Sequence, residues 1–441
     1  MKPEIWAAYS STHGNTRDRA IDKFIELIER NLWWLSLTFM AIGVFWANQS
    51  PDFAYTVSNA MEALIDGYSY FAPVAIYLIL TPTLIKLMTS ETRGKSFAKY
   101  TIKWYAMARL IACVYAVFWT VIAFDIPVYS SLEGFKKAVV EAVTSLGYML
   151  THSEYFYAIY ASVATTFIAS RFPTMANTLG KGVELIEYLG KFLVPVIPFL
   201  LLAVGAYVTI LPEILGKVLG SDSSTLMSRQ VSIFGFEIDI TTSLGMLLLY
   251  IVGAFLTGFV SAIWHLGLIL LAKRVKPDFS IKEYFTVYWI KVYPLLWATS
   301  SEALATPLNL NMVKKFCPSI PDEVRQFVIG TGSFLNINGT LVNVFLMTGL
   351  VASILNVDIS LVQLLLSIPI VFLIGYGVPG MPGELILFAG PMAHSMGVPP
   401  ELMPIYLSLY IGLQIGLPDS FRTGANSTDE CLCAIILNKK Y

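Results

Sequence analysis

Apolar and polar positions alternate along this chain in blocks, not in short periods. A helix needs about 20 apolar residues to cross the hydrocarbon core of a bilayer. Runs of that kind lie near 31–49, 57–88, 98–124, 134–171, 184–215 and 241–272. The second, fourth and fifth are longer than one crossing needs, which predicts helices that tilt, break or extend into water. Beyond residue 272 the pattern changes. Apolar segments shorten and are interrupted by Ser, Asn, Gly and Pro: TSSEALATP at 299–307, NINGT at 336–340, GYGVPGMPGE at 375–384 and LPDSFRTGANSTDE at 417–430. The sequence predicts an all-α polytopic membrane protein.

The basic residues orient it. Arg17, Arg19, Lys23 and Arg30 precede the first span, Lys86, Arg93 and Lys95 follow the second, and Arg171, Lys181 and Lys191 separate the fourth from the fifth. Lys273, Arg274 and Lys276 follow the sixth, and Lys439 and Lys440 close the chain, whereas 48–56, 354–361 and 395–404 hold neither Lys nor Arg. The positive-inside rule then puts both termini in the cytoplasm of a multi-pass protein of the plasma membrane, the inner membrane in a bacterium. Residues 1–30 read as a cytoplasmic segment with no cleavable signal peptide. Lys136, Lys137 and Arg229 fall on the outer side and run against the rule.

Composition sharpens the class. Of 441 residues 56% are hydrophobic and 13% charged, about half the charge of an ordinary soluble domain. Lys plus Arg number 29 against 30 Asp plus Glu, so no cationic surplus exists to neutralise nucleic-acid phosphates. Cys113, Cys317, Cys431 and Cys433 read as small apolar packing residues. The C-x-C pair has no neighbouring partner to make it a metal site. No P-loop, HExxH motif or nucleophile elbow is present, which argues against an enzyme. Trp33, Trp34 and Trp46 read as an interfacial belt, and His265 and His394 as satisfied or interfacial histidines in preference to proton relays.

The interrupted segments carry the candidate chemistry. Irregular backbone at membrane depth survives only where protein buries it or it lines a watery cavity. The halves around 299–307 fit a re-entrant hairpin entering from the cytoplasm, over 280–316, with Thr299, Ser300 and Ser301 at its tip. Those around 375–384 fit a second one entering from outside, over 360–396, with Glu384 beside its tip. Paired interrupted segments mark a transporter's midplane site, where half-helix N-termini attract anions and unwound carbonyls suit cations. In the last span Asp419, Arg422, Thr423, Asn426 and Glu430 are spaced by three or four and share a helical face. Arg422 offers a planar fork to a carboxylate and Asp419 an anion to an ammonium, which together read an acidic amino acid. The structural alternative is an Asp419–Arg422 ion pair that braces the bundle.

From about residue 285 the chain resembles the dicarboxylate/amino acid:cation symporters, the glutamate transporter family. SSEALATP, NINGT, GVPGMPG, HSMGVP and DSFRTGAN carry the resemblance, in order and at the family's separations. It implies eight transmembrane helices plus two re-entrant hairpins, a homotrimer and an elevator mechanism. Six helices would fill 31–272, a broken seventh 324–356 and the eighth 401–438. It also implies that Arg422 clamps the substrate side-chain carboxylate and Asp419 the amino group, with Thr423 and Asn426 completing the contacts. Thr340 and the Thr299–Ser300–Ser301 tip would meet the α-carboxylate, and Gly377–Gly383, with Met381 and Gly383, would gate the site. Coupling Na⁺ would use oxygens near Gly332, Asn336, Asn338, Asn426 and Glu430, or Asp429 in a slipped register.

Departures concern the coupling ion. Asn338 stands where the family has an aspartate and Ile415 where it has another, which predicts that a Na⁺ site is weakened or lost. Proton coupling through Glu430 or Glu302 is the competing expectation. The reading is a symporter for glutamate or aspartate, with a C4-dicarboxylate or neutral amino acid symporter of the same fold, or an anion channel, as alternatives. The glycosylation patterns at Asn48, Asn338 and Asn426 read as accidental.

Overall fold

The computed structural model describes residues 27–28, 31–50, 52–57, 59–60, 73–74, 77–78, 81–82, 84–85, 95–127, 132–152, 154–180, 198–199, 202–203, 205–206, 209, 230–240, 242–300, 302–377, 385–414 and 416–440. Among these the chain is helical except for one small β-hairpin. The first helices are α1 (Leu32–Gln49), α2 (Lys95–Ala123), α3 (Leu132–His152), α4 (Glu154–Ala169) and α5 (Pro173–Gly180). Trp34 and Trp46 on α1 are exposed.

Strands β1 (Gln230–Ile233) and β2 (Phe236–Asp239) pair antiparallel, with Ile233 opposite Phe236. Phe234 and Gly235 have φ of 52° and 78°, the paired positive values of a tight hairpin turn whose twist matches the strands. The Phe234 amide donates to the Ala123 carbonyl at 2.8 Å, tying the hairpin to the end of α2. This element departs from the all-helical expectation. Its cause is local: QVSIFGFEID alternates apolar with polar residues around a Phe-Gly turn.

α6 (Ser243–Val275) opens with Thr242 accepting from the Gly245 amide at 3.0 Å. At its far end Lys273 Nζ caps the Pro277 and Phe279 carbonyls, at 2.7 and 2.8 Å, and turns the chain back on itself. A helical turn at Ile281–Glu283 widens into π-helix at Tyr284–Trp289 before α7 (Ile290–Thr299) begins. α7 stops at Ser300, which is left-handed with φ 48°. α8 (Glu302–Phe316) then runs back.

α9 (Asp322–Leu335) and α10 (Asn338–Ile354) are separated by Asn336 and Ile337. α11 (Leu361–Ile374), opened by a Ser360–Gln363 capping box, leads through a tight turn at Gly375–Gly377. α12 (Ile386–Ser395), α13 (Met403–Gln414) and α14 (Leu417–Asn438) complete the chain. Among the described residues three helical runs are long and apolar enough to cross a bilayer: Ser96–Ala123, Leu244–Val275 and Asp322–Ile354. The longest unbroken one, Leu244–Val275 with 32 residues, reaches about 48 Å at 1.5 Å per residue, against roughly 30 Å of hydrocarbon.

α14 is the hub. It packs against α6, α7, α8, α9 and α10, and α10 packs in turn against α2, α6 and α13. Every residue of α10 but Ser353 is buried, and so is every α14 residue from Leu417 to Leu437 but Phe421. A helix buried all round lies inside a bundle. α14 is unusual in being buried all round while carrying two aspartates, a glutamate and an arginine. Such groups persist in an interior only when they are paired and hydrogen-bonded to one another.

Candidate functional site

The site grows from α14. Gly416, with φ 90°, turns the chain into the helix, a conformation that favours glycine. The Leu417 amide then donates to Tyr250 Oη of α6 at 2.9 Å, which anchors the first turn. One turn on, Arg422 Nε donates to Asp419 Oδ1 at 2.5 Å, and Nη2 contacts the same oxygen. Gln414 Nε2 adds a bond to Asp419 Oδ1 at 3.2 Å. Both charges are buried. The geometry therefore contains the ion pair weighed as the structural alternative.

That pair is also the end of a wider network. Arg422 Nη1 donates to Thr340 Oγ1 at 2.7 Å. Asn426 Nδ2 donates to Thr340 Oγ1 at 2.9 Å and to Glu302 Oε1 of α8 at 2.8 Å. Asn426 Oδ1 accepts from the Gly339 amide at 2.7 Å, so a side chain of α14 caps the start of α10. A Cβ on Gly339 would sit 2.6 Å from the Arg422 carbonyl oxygen. Only glycine lets the two helices approach this closely.

Around the α9–α10 break the polar atoms are oxygen-rich. Asn336 Nδ2 donates to the Asn426 carbonyl at 2.6 Å, and Asn338 Nδ2 to Asn336 Oδ1 at 2.7 Å. The Gly332 carbonyl accepts from the Asn336 amide at 2.7 Å. A Cβ on Gly332 would meet Tyr105 Oη at 2.7 Å and Glu430 Cγ at 2.8 Å, so this glycine lets Glu430 lie against α9. Glu430 Oε2 accepts from Asn309 Nδ2 at 2.8 Å, and Asn309 Oδ1 accepts from Tyr288 Oη at 2.6 Å. Glu430 Oε1 and Asn338 Oδ1 are buried with no hydrogen-bond partner among the described residues. Bare buried carboxylate and amide oxygens of this kind suit a hard cation such as Na⁺.

Thus Thr340, Asp419, Arg422 and Asn426 form one network, with Gly332, Asn336, Asn338 and Glu430 beside it. Ser300 joins from the α7–α8 turn, its Oγ 3.2 Å from Ser420 Oγ. Its left-handed backbone is strained for a non-glycine residue, a condition that clusters at functional sites. Thr423 Oγ1 is buried but bonds nothing among the described residues. Thr299 ends α7. Ser301, Met381, Gly383, Glu384 and Ile415 lie outside the described residues.

Sequence reasoning passed over Gln414 and Asn309, which bond α14 directly, Tyr288, which holds Asn309, and Tyr105, which bonds the Val328 carbonyl of α9 at 2.9 Å. Asn309 lies in an unremarkable LNLNM stretch, and only the folded chain shows what it touches. It also passed over Arg109 of α2, whose buried guanidinium stacks 3.9 Å from the centre of the Tyr376 ring. All four cysteines are buried free thiols.

Residues 224–440 match the model of the sodium:dicarboxylate symporter family, in agreement with the motifs read from the sequence. Two relatives are similar at low identity. The proton/sodium-glutamate symport protein of Bacillus caldotenax is 26% identical over 145 residues, 33% of this chain and 33% of that one. The proton/glutamate-aspartate symporter of Bacillus subtilis (strain 168) is 24% identical over 163 residues, 35% and 37% of the two chains. The chain thus spans about a third of the length of the relatives it matches. The family description and the names of both relatives are those of symporters.

Proposed function

From the match of the C-terminal half to a symporter family, we propose that this chain takes up an acidic amino acid, glutamate or aspartate, by cation-coupled symport. One observation carries the reading: Arg422 and Asp419 are both fully buried, face to face, and joined to Thr340 and Asn426 by hydrogen bonds. An interior site with one guanidinium and one carboxylate in reach of each other matches a zwitterion that carries a second carboxylate. In this reading the substrate inserts between them. Its side-chain carboxylate takes the guanidinium fork, its ammonium takes Asp419, and its α-carboxylate meets the Thr340 hydroxyl and the Ser300 turn. Exchanging the internal partners for those of the substrate leaves few charges unpaired at any stage, which keeps the desolvation penalty low.

Glu430, with the carbonyl of Gly332 and the amides of Asn336 and Asn338, forms the cation side of the site. Na⁺ and H⁺ both satisfy its bare oxygen, one by coordination and the other by protonation. Asn338 supplies a carbonyl oxygen and no charge, so this side carries less negative charge than an aspartate there would give. The expected architecture is the elevator fold of the family: two re-entrant hairpins at 280–316 and 360–396, the latter gating the site near Met381 and Gly383, in a homotrimer.

Purified protein in liposomes tests the proposal. Uptake of radiolabelled glutamate, aspartate and succinate is measured with Na⁺ and pH gradients varied separately. Concentrative uptake of glutamate or aspartate over succinate is expected. Preference for succinate would move the substrate to C4-dicarboxylates, and flux that never exceeds the electrochemical gradient of the solute would make the protein a channel.

A further inference from the structure

Between α2 and α6 runs an apolar groove that the substrate cage does not use. Trp104, Met107, Ile111 and Tyr115 of α2 form one wall, and Trp264 and Gly267 belong to the α6 wall, around a cavity of about 320 Å³. The α2 residues are spaced by three or four and so share one helical face. Gly267 leaves the middle open, since a Cβ there would meet nothing within 4 Å. Met107 and Ile111 are more than half exposed, so the groove opens along its length to whatever surrounds the two spans.

Each aromatic wall residue turns its polar atom into the protein. Trp104 Nε1 donates to Cys433 Sγ at 3.4 Å, Trp264 Nε1 to Asp429 Oδ2 at 3.1 Å and Tyr115 Oη to the Val260 carbonyl at 2.7 Å. The Tyr115 and Trp264 rings pack with their centres 5.5 Å apart. Ring faces and aliphatic groups are what the walls present. Water held there would lack the two to four polar partners it needs, whereas a hydrocarbon chain gains contact without giving up a hydrogen bond.

Length and charge define which hydrocarbon. The rise from Trp104 to Tyr115 is about 16 Å at 1.5 Å per residue, and half of a bilayer's hydrocarbon is about 15 Å. One acyl chain of a single leaflet therefore fits along the groove. Cations gather at the Trp104 end. Lys103 adjoins Trp104, and Arg274 stands one turn beyond the wall residue Leu271; both are exposed. Lys440 Nζ lies 5.9 Å from the centre of the Tyr100 ring, one turn before Trp104. None of the three forms an ion pair with a described residue. The positive-inside rule puts this end in the cytoplasm, where the leaflet surface is negative.

We propose that this groove binds an anionic phospholipid of the cytoplasmic leaflet, with one acyl chain along Trp104–Tyr115 and the phosphate head group met by Lys103, Arg274 and Lys440. The site stands apart from the symporter reading, because none of its residues belongs to the substrate cage. Its occupancy reaches the core through the indoles. Trp104 and Trp264 hold Cys433 and Asp429 of α14, and Asp429 Oδ1 also lies 2.5 Å from His265 Nδ1. A chain packed on both ring faces keeps the indoles in the rotamers that make these bonds. Bound lipid thereby stabilises the helix that carries the buried charges.

The test uses the purified full-length protein, stripped of lipid in detergent and titrated with phosphatidylglycerol or phosphatidylcholine carrying the same oleoyl chains. Native mass spectrometry counts bound lipid, and thermal unfolding is followed in parallel. Phosphatidylglycerol is expected to bind at least ~10-fold more tightly than phosphatidylcholine and to raise the melting temperature. Gly267→Leu, which puts a side chain in the open middle of the groove, is expected to weaken phosphatidylglycerol binding at least ~10-fold and to abolish that rise. Lys103→Gln with Arg274→Gln should bring phosphatidylglycerol down to the level of phosphatidylcholine and leave the latter unchanged. Equal affinity of the two lipids for the unmodified protein, or binding by Gly267→Leu as in the unmodified protein, would reduce the contact to bulk bilayer and overturn the site. An unchanged lipid preference in the double variant would overturn it too. If Gly267→Leu does not fold, Met107→Trp, which narrows the groove from its α2 rim, decides on the same criterion. None of these readouts depends on transport, so the symporter reading can fail while the lipid site stands.

Discussion

Arg422→Gln is the perturbation that bears most directly on the proposed substrate site. The guanidinium meets Asp419 through two nitrogens and Thr340 through the third, the last at 2.7 Å, inside a fully buried cage. Removing it leaves Asp419 with the neutral amide of Gln414 at 3.2 Å among its remaining donors. Breaking one side of a buried pair destabilises by about 3–5 kcal/mol. The substrate loses a charge-assisted pair of hydrogen bonds, about 1.5–3 kcal/mol each, less what Asp419 recovers by leaving the guanidinium. The net is about 3 kcal/mol, or roughly 100-fold in affinity at 1.4 kcal/mol per decade. Calorimetric titration of purified protein with glutamate, alongside thermal unfolding, measures both quantities. Asp419→Asn combined with Arg422→Gln should regain at least ~2 kcal/mol of stability, because no unpaired charge remains. Arg422→Lys, which keeps charge but not the planar fork, should lose about tenfold in affinity. A glutamate affinity for Arg422→Gln within threefold of the unmodified protein would refute the assignment of Arg422 to the substrate.

Three further outcomes follow from other parts of the molecule. Asn309→Ala strands Glu430 Oε2 and Tyr288 Oη. It should reduce stability by about 2–4 kcal/mol and change the cation dependence of uptake. The buried Arg109 guanidinium lies 3.9 Å from the centre of the Tyr376 ring and 5.6 Å from that of Phe372. Its desolvation outweighs a cation–π gain of about 2 kcal/mol, so Arg109→Met should raise the melting temperature; a fall would mean that the guanidinium holds an anion. Cys317, in the turn between α8 and α9, has its thiol pushed up to about 11 by burial, partly opposed by Lys276. Maleimide labelling of a variant with Cys317 as its sole cysteine should be ~100-fold slower at neutral pH than for a free thiol. Because the folded state holds this proton more tightly, the stability it contributes is complete below about pH 9 and lost as pH rises toward 11.

Helical periodicity made part of the site legible. Asp419, Arg422, Asn426 and Glu430 stand three or four apart in an apolar context, and a helix puts such residues on one face whatever surrounds it. The same logic marked Ser300 and Asn336, since polar residues that interrupt apolar runs need a reason to be there. Legibility ended where partners come from distant segments. Asp429 was read only as a stand-in for Glu430, yet it turns away to His265, 164 residues earlier in the chain. Asn309 and Tyr288 carry no local signal, because a hydrogen bond between helices leaves no periodicity in either. The β-hairpin at 230–239 alternates over only four residues per strand, too short a pattern to stand out in the polar interval where it lies.

By itself, then, the sequence determined that this is a multi-helix membrane chain whose last segment bears charge on one face. Both conclusions depend on local quantities, the length of apolar runs and the pitch of a helix. Only the tertiary structure decided that α14 is surrounded on every side, so that all its charges need internal partners. It also decided how they divide: Arg422 and Asp419 with Thr340 and Asn426, Glu430 with Asn309, and Asp429 with His265. Pairing among buried charges is set by which helices pack together. That packing sums many weak contacts spread along the chain, and no short stretch of sequence contains them.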